Sequence, residues 1–405
     1  MSQITAPVIL DETGKQIVEK LHTQNLLLDI LAGATLEHTD NLDEIARVVR
    51  SGEADKVFNI GDQIILPWTD VATGTTYSMP FDIAHFGDVT LEDGEEIPGM
   101  IIQAHYAHPF GIQFSHQRAF LACPEGLAAG TYYFTFESNY GNNVQAGDIV
   151  RFTLTKPVPE GGRIAGCYGA SDQEKSNWRI YSYGADGADL IETVTPEFTA
   201  SGTSLGTMKN TQRTGNLNSA QEMAYGCNNW KKSAMLQYLN GTGARGEWWT
   251  AQDAWDIVPD QHATKAAFLS GFDNDIILAT KPVKVSQATN TVQDGGATED
   301  TYCRFFLPSL QEINCAPQAE DQEGTVWEYW KRISGSETPL PTGTNYTYPQ
   351  MRMFGLENKN AAQIVRLRSA HRGGANSAWY VHAGGVVYIL NASSANRFAP
   401  ACAIC

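Results

Sequence analysis

Positive charge is scarce in this chain of 405 residues: 28 Lys and Arg stand against 45 Asp and Glu, a formal net charge of −17. Gripping a phosphate backbone or an anionic membrane surface requires a basic face, so nucleic acid is excluded as the main partner. Long apolar runs are missing as well. No stretch approaches the ~18 to 20 apolar residues of a membrane-spanning helix, so membrane insertion is not expected. The first residues lack the basic start and apolar core of a secretory leader, and synthesis in a cytoplasm is expected. Charged residues make up only 18% of the chain, low for a long helical bundle. The seven cysteines, Cys123, Cys167, Cys227, Cys303, Cys315, Cys402 and Cys405, are odd in number and widely scattered. That is no secreted disulfide framework, and they read as free, buried thiols. No repeat and no low-complexity tract is present.

What is present is enough apolar material, 42% of residues, for two or three cores, together with 37 glycines and 10% aromatics. This is the composition of a strand-rich, loop-rich protein. Helical spacing is confined at first to the N-terminal part, over 16–31 and again over 41–50, where Asn41 and Glu44 approach a capping box. After Gly52 the pattern changes to short strands, first over 56–66 with a turn at Gly61-Asp62. Two runs, Thr131–Phe136 and Asp148–Thr155, with the polar segment 139–143 between them, predict a β-hairpin or small β-subdomain. The segment from Ser219 to Leu239, with Met223, Trp230, Met235, Leu236 and Leu239 at helical spacing, predicts the best internal helix, followed by a second helical stretch toward Leu269. From 294 to 347 the chain reads as loops around the compact apolar phrase Phe305–Leu310.

Several motifs suggest chemistry that their context does not support. Gly202-Thr203-Ser204-Leu205-Gly206 fits a nucleophile elbow, yet no clear strand precedes it and it reads as a loop. Gly241 to Gly246 spells G-x-G-x-x-G but follows a helix instead of opening one, so a connector is expected. His105, His108 and His116 could supply imidazoles to Zn²⁺, and Cys402 and Cys405 have C-x-x-C spacing, but no second pair sits at a matching distance. Satisfied histidines and structural thiols are expected, with no metal, no cofactor and no catalytic residue.

One deficit is local. From Ala361 to Cys405 there is no Asp and no Glu, while Arg366, Arg368, Arg372 and Arg397 are present. A +4 end on a body of −21 predicts a mildly basic C-terminal face. Ala378–Leu390 reads as two strands joined at Gly384-Gly385, and Asn391–Arg397 as an open polar loop. Leu367, Trp379, Val381, Val386 and Pro400 read as scaffold.

The string Leu367–Ser369, then a Gly/Asn/Ser-rich stretch, then Ala378–Val381, a Gly turn, Asn391–Ser394 and Ala399–Ala401 resembles the C-terminal signature of C-type lectin-like domains in bacterial and phage proteins. Phe306–Glu312, Asn228–Trp230 and Trp248-Trp249 are similar to further landmarks of that family, in its order. The resemblance extends to gut-phage virion proteins and to the variable proteins of diversity-generating retroelements, in which a rigid fold displays residues rewritten by adenine-directed mutagenesis. Mutating the adenines of AAC codons never yields Lys, Glu, Gln, Met or Trp. Between Ala370 and Phe398 the first four are absent and Trp379 is the single Trp.

The resemblance implies an α+β protein with a C-type lectin-like fold, an N-terminal helical segment and an inserted small β-subdomain. The division is an attachment or oligomerisation segment over 1–52, a β-rich region over 53–165, and a lectin-like domain over 166–405 whose display surface is 361–405. The ligand-binding surface is assigned to His371, Arg372, Asn376, His382, Tyr388, Asn396, Arg397 and Phe398, residue types that serve as interface anchors and adaptable polar contacts. The implied function is a non-catalytic phage virion protein, made in the host cytoplasm, whose partners are a host-cell surface protein or glycan receptor, other virion proteins and further copies of itself. Two alternatives stand: a structural capsid or tail protein that cements neighbours, and an oxidase of the formylglycine-generating type. Without a carboxylate after Glu357, the C-terminal end supplies no ligand set for a Ca²⁺-dependent sugar site.

Overall fold

The computed structural model describes residues 42–139, 144–166, 178–209, 217–315, 323–339 and 355–405. A helix, α1 (Leu42–Arg50), and a single turn, α2 (Ala54–Val57), lead into an antiparallel meander of β1 (Gln63–Asp70), β2 (Thr75–Thr90) and β3 (Glu96–Ala104). Strict alternation in β1 turns Ile64, Leu66 and Trp68 inward, as a sheet with one buried face requires. The final strand of the chain, β19 (Ala401–Ile404), pairs with β3, and a two-residue strand, β14 (Phe305–Phe306), closes the order β1-β2-β3-β19-β14. Helix α1 buries Leu42, Ile45, Ala46, Val48 and Val49 in the main core, and Arg50 Nη1 donates to the Cys405 carbonyl at 3.1 Å.

A second core is built from residues between Phe120 and Ala224. Its strands are β5 (Leu121–Cys123), β6 (Gly130–Phe136), β7 (Ile149–Leu154), β8 (Gly162–Gly166), β9 (Ile180–Tyr183), β10 (Leu190–Val194) and β11 (Thr203–Met208), in the orders β10-β9-β8-β5 and β11-β6-β7. The hairpin read from Thr131–Phe136 and Asp148–Thr155 is present as β6 and β7, with Phe134 opposite Val150. At the junction of the two cores, Arg118, 1% exposed, donates to Glu222 and Asp256 at 3.0 Å and lies 3.1 Å from Asp253.

The chain returns to the main body through α3 (Ala220–Tyr225), α4 (Ala234–Asn240) and α5 (Asn274–Ala279), then the hairpin β12 (Val283–Ala288) and β13 (Thr298–Cys303), and α6 (Glu328–Ser334). The C-terminal sheet follows: β15 (Val365–Ala370), β16 (Ser377–Val381), β17 (Val387–Asn391) and β18 (Ala395–Phe398), with β4 (Ile112–Gln113), ordered β17-β16-β15-β18-β4.

This overturns the α+β, C-type lectin-like architecture with an N-terminal helical segment. Among the described residues strand accounts for 38% and helix for 13%, in several small, mostly antiparallel sheets. The helix predicted over 41–50 forms, but as part of the main core; the one predicted over 16–31 lies outside the described residues. The continuous helix predicted from Ser219 to Leu239 is two short ones. Gly226, at φ +81°, leaves the helical region after α3, and Ser233 caps a fresh start by accepting from the Leu236 amide. The break falls where the chain crosses between cores: Met223 packs in the second, Trp230 and Met235 in the main one. The helical stretch predicted toward Leu269 is reduced to a 3₁₀ turn at Phe268–Gly271, and the strand run expected over 56–66 begins instead with the end of the helical turn Ala54–Val57 and reaches β1 only at Gln63.

Candidate functional site

The four C-terminal arginines do not form a basic face. Arg366 is fully buried, and its guanidinium donates only to main-chain carbonyls: Ala378 at 3.0 Å, Leu390 at 2.9 Å and Asn391 at 2.7 Å. Burial lowers its pKa to about 9. Arg368, also fully buried, holds both carboxylate oxygens of Glu312 and the carbonyls of Ser286, Leu307 and Glu323. Arg372 donates to the Gly296 carbonyl at 2.9 Å, and Arg397 pairs with Glu357. The charge separation seen in the sequence is thus spent on internal bonds, and the C-terminal surface carries little charge of its own.

The eight residues assigned to the ligand surface fall into three places. At the turn end of the β16–β17 hairpin, His382 is exposed and Tyr388 is 57% exposed. Tyr388 stands opposite Tyr380 across the strands, and the Tyr380 and His382 rings are 6.2 Å apart. The turn itself forms as expected, with Gly385 at φ +87°. At the far end, the 371–376 loop carries His371, Arg372 and Asn376, all half-buried. His371 lies 6.2 Å from the Trp379 ring, and partial burial lowers its pKa. Asn376 donates to the Asn391 side chain at 3.3 Å. The remaining three are on β18, on the other side of β15. There Asn396 is buried, Arg397 is held by Glu357, and Phe398 is fully buried against His108, ring centroids 4.5 Å apart. Residues 395–397 read as the end of a polar loop because no large apolar side chain falls within 391–397, but pairing of β18 with β15 and β4 draws the strand into the core. Leu367, Trp379, Val381 and Pro400 are buried and Val386 is half-buried.

The backbone of this region is held from outside it. Asn228, fully buried, donates from Nδ2 to the carbonyls of Gly374 and Ser377 at 2.7 Å and of His371 at 3.3 Å. Its main-chain amide donates to the Ala375 carbonyl at 3.0 Å. Thr291 donates to the Arg372 carbonyl through both amide and hydroxyl, and Gln113 donates to that of Ser393 at 3.0 Å. Sequence reasoning missed these anchors, although Asn228 and Glu312 both sit in strings noted as landmarks.

The other motifs have structural explanations. His108 is fully buried among Trp68, Phe110, Phe268 and Phe398, with its pKa lowered by burial to about 3. His105 bonds Asp82, and His116 lies 3.3 Å from Asp260. Among the described residues no group of three or more His, Cys, Asp or Glu is placed to hold a metal ion. Cys402 and Cys405 are buried and unbridged, their thiol pKa values raised by burial. Ser204 lies on β11, where its hydroxyl accepts from the Gly206 amide. Gly241–Gly246 is the connector after α4. A cleft of about 220 Å³ between β2 and β12 has His85, Lys284, Glu312 and Trp327 on its walls, and none of the eight assigned residues lines it.

A family model described as a domain of unknown function (DUF6273) matches residues 203–404, from β11 through β19. No curated protein matches the chain, and no solved structure does.

Proposed function

We propose that this protein is a non-catalytic binding scaffold whose C-terminal sheet presents a contact surface to a receptor on a host cell, in the phage-virion setting that the sequence resemblance implies. The observation that carries the reading is Tyr388: a large aromatic ring, 57% exposed on the edge strand of its sheet, beside the exposed His382. A tyrosine loses little side-chain entropy on binding and offers apolar area with a polar tip, which is why it recurs as an anchor in binding surfaces. His371 and Asn376 extend the surface at the other end of the hairpin. Weak single sites of this kind gain by repetition, so several copies would act together.

The test is flow cytometry with fluorescently labelled protein on a panel of intact bacterial cells. At least one strain is expected to bind, and replacing His382 and Tyr388 together by alanine is expected to weaken that binding at least about tenfold, the loss typical of removing an anchor. Undiminished binding by the double variant, or no binding to any strain, would count against the display reading. Burial of Tyr388 between neighbouring copies in an assembled particle would favour the cementing role instead.

A further inference from the structure

We propose that the cleft between β2 and β12 is a separate binding site, which takes an extended, basic segment of a partner polypeptide as an added strand. The site goes beyond the display reading and shares no residue with it. Pairing of β2 with β1 ends at Asp82, and from His85 to Thr90 the strand pairs on one edge, with β3. On its other edge β12 meets it at an isolated bridge, Leu91 to Val283, and the two strands then part around a space of about 220 Å³. Which main-chain groups face that space follows from the alternation of an antiparallel ladder. The Leu91 amide donates to the Glu95 carbonyl, and Asp88 stands opposite Pro98, which has no amide to give. The odd residues of β2 therefore bond β3, while Asp88 and Thr90 turn their amides and carbonyls toward the cleft. On β12 the Ser286 carbonyl accepts from Arg368 and the Ala288 amide donates to Glu323, each at 3.0 Å and on the side away from β13. Lys284, two residues before Ser286, faces the same way. Asp88, Thr90, Lys284 and Ser286 all line the cleft. Among the described residues no partner takes the Asp88 amide and carbonyl, the Thr90 amide, the Lys284 carbonyl or the Ser286 amide. Unpaired strand edges of this kind are templates for strand addition.

Side chains and charge narrow the partner. A bulge in β2 between Ile83 and His85, and a bond from His85 Nδ1 to the Glu328 carboxylate, set the imidazole on the cleft wall, with Phe306 and Trp327 among the other lining residues. A cavity of about 150 Å³ holds a benzene ring, so this one has room for one side chain of the incoming strand. The end of β2 and the turn after it carry exposed Asp88, Glu92, Asp93, Glu95 and Glu96, while Lys284 is the cation on the cleft wall. That excess of carboxylates favours a positively charged partner. Alternate side chains of a strand point to opposite faces. The segment that fits thus alternates apolar residues, one of them seated in the cleft, with basic residues over the acidic turn.

Fluorescence anisotropy of the full chain with a labelled seven-residue peptide of alternating lysine and valine tests the site. Saturable binding is expected, at least about tenfold tighter than that of the same peptide with glutamate in place of lysine, or with alternate amides N-methylated. Asp88→Lys is expected to weaken the parent peptide at least about tenfold. Thr90→Pro should do the same, since it removes an amide that points into the cleft and leaves the β3 ladder whole. Should Thr90→Pro fail to fold, the N-methylated peptide carries the main-chain test on the unaltered protein, and Asp88 is exposed, so Asp88→Lys keeps the fold. No binding up to about 1 mM peptide, equal binding of the N-methylated peptide, or unchanged affinity in Asp88→Lys would overturn the proposal. So would self-association that Asp88→Lys abolishes without any peptide binding, because the edge would then belong to a second copy. The double variant His382→Ala, Tyr388→Ala is expected to bind the peptide like the parent, so a failure of the receptor reading leaves this site standing.

Discussion

Replacing Arg368 with methionine is expected to destabilise the main core by about 3–5 kcal/mol, the usual cost of removing one partner from a buried ion pair. Arg368 is fully buried and Glu312 nearly so, with Nη2 to Oε1 at 2.7 Å. The variant strands the Glu312 carboxylate in the core and withdraws donors from the carbonyls of Ser286, Leu307 and Glu323. Domain stabilities are typically about 5–15 kcal/mol, so the loss is a large share of the total. Urea unfolding followed by tryptophan fluorescence would read it. Adding Glu312→Leu should restore part of the loss, because removing both charges leaves no unpaired one. Restoration should be incomplete, since the three carbonyls still lack donors. A single variant as stable as the parent would show that the pair is solvated and the core placed wrongly.

The second large effect is a dependence on acid. The His108 imidazole is kept neutral by burial, which outweighs the hydrogen bond to the Phe110 carbonyl that favours its charge, with Lys265 and Arg397 disfavouring that charge to a smaller extent; its pKa falls from 6.5 to about 3. The unfolded chain binds a proton below about 6.5 that the folded chain refuses until about 3. Folding stability from this group is therefore complete above 6.5 and declines as the pH drops toward 3, at about 1.4 kcal/mol per pH unit. Between pH 6.5 and 5 that amounts to about 2 kcal/mol. His108→Phe keeps an aromatic ring among Trp68, Phe110, Phe268 and Phe398 and removes the titration. The stability gap between variant and parent should thus shift in the variant's favour by about 2 kcal/mol from pH 7 to pH 5. A gap that does not change with pH would mean that His108 is reached by solvent.

These residues also mark how far the sequence can be read. Local signals survived. The β6–β7 hairpin, the Gly384-Gly385 turn and the 42–50 helix follow from alternation, glycine and helical spacing, which act within a few residues. Longer-range outcomes did not survive. The apolar spacing over 219–239 is a genuine record of burial, since Met223, Trp230, Met235 and Leu239 are all in a core, but it could not say that they are in two different cores. A charge count treats an arginine braced by carbonyls like one facing water, so the +4 end read as a face when Arg366 and Arg368 are its internal fasteners. Phe398 and Tyr388 are both aromatic residues near a strand end, and only the sheet order β17-β16-β15-β18-β4 puts one at the edge and the other inside.

The same contrast supplies the most direct test of the display surface. Tyr388 and Tyr302 are both exposed, at 57% and 38%, and lie on separate sheets. Hydroxyl-radical footprinting of the protein, free and bound to a strain selected by the cell panel, should show Tyr388 oxidised when free and protected at least about fivefold when bound, with Tyr302 unchanged. Equal oxidation of Tyr388 in both states would contradict the claim that this hairpin is what the protein presents to its partner.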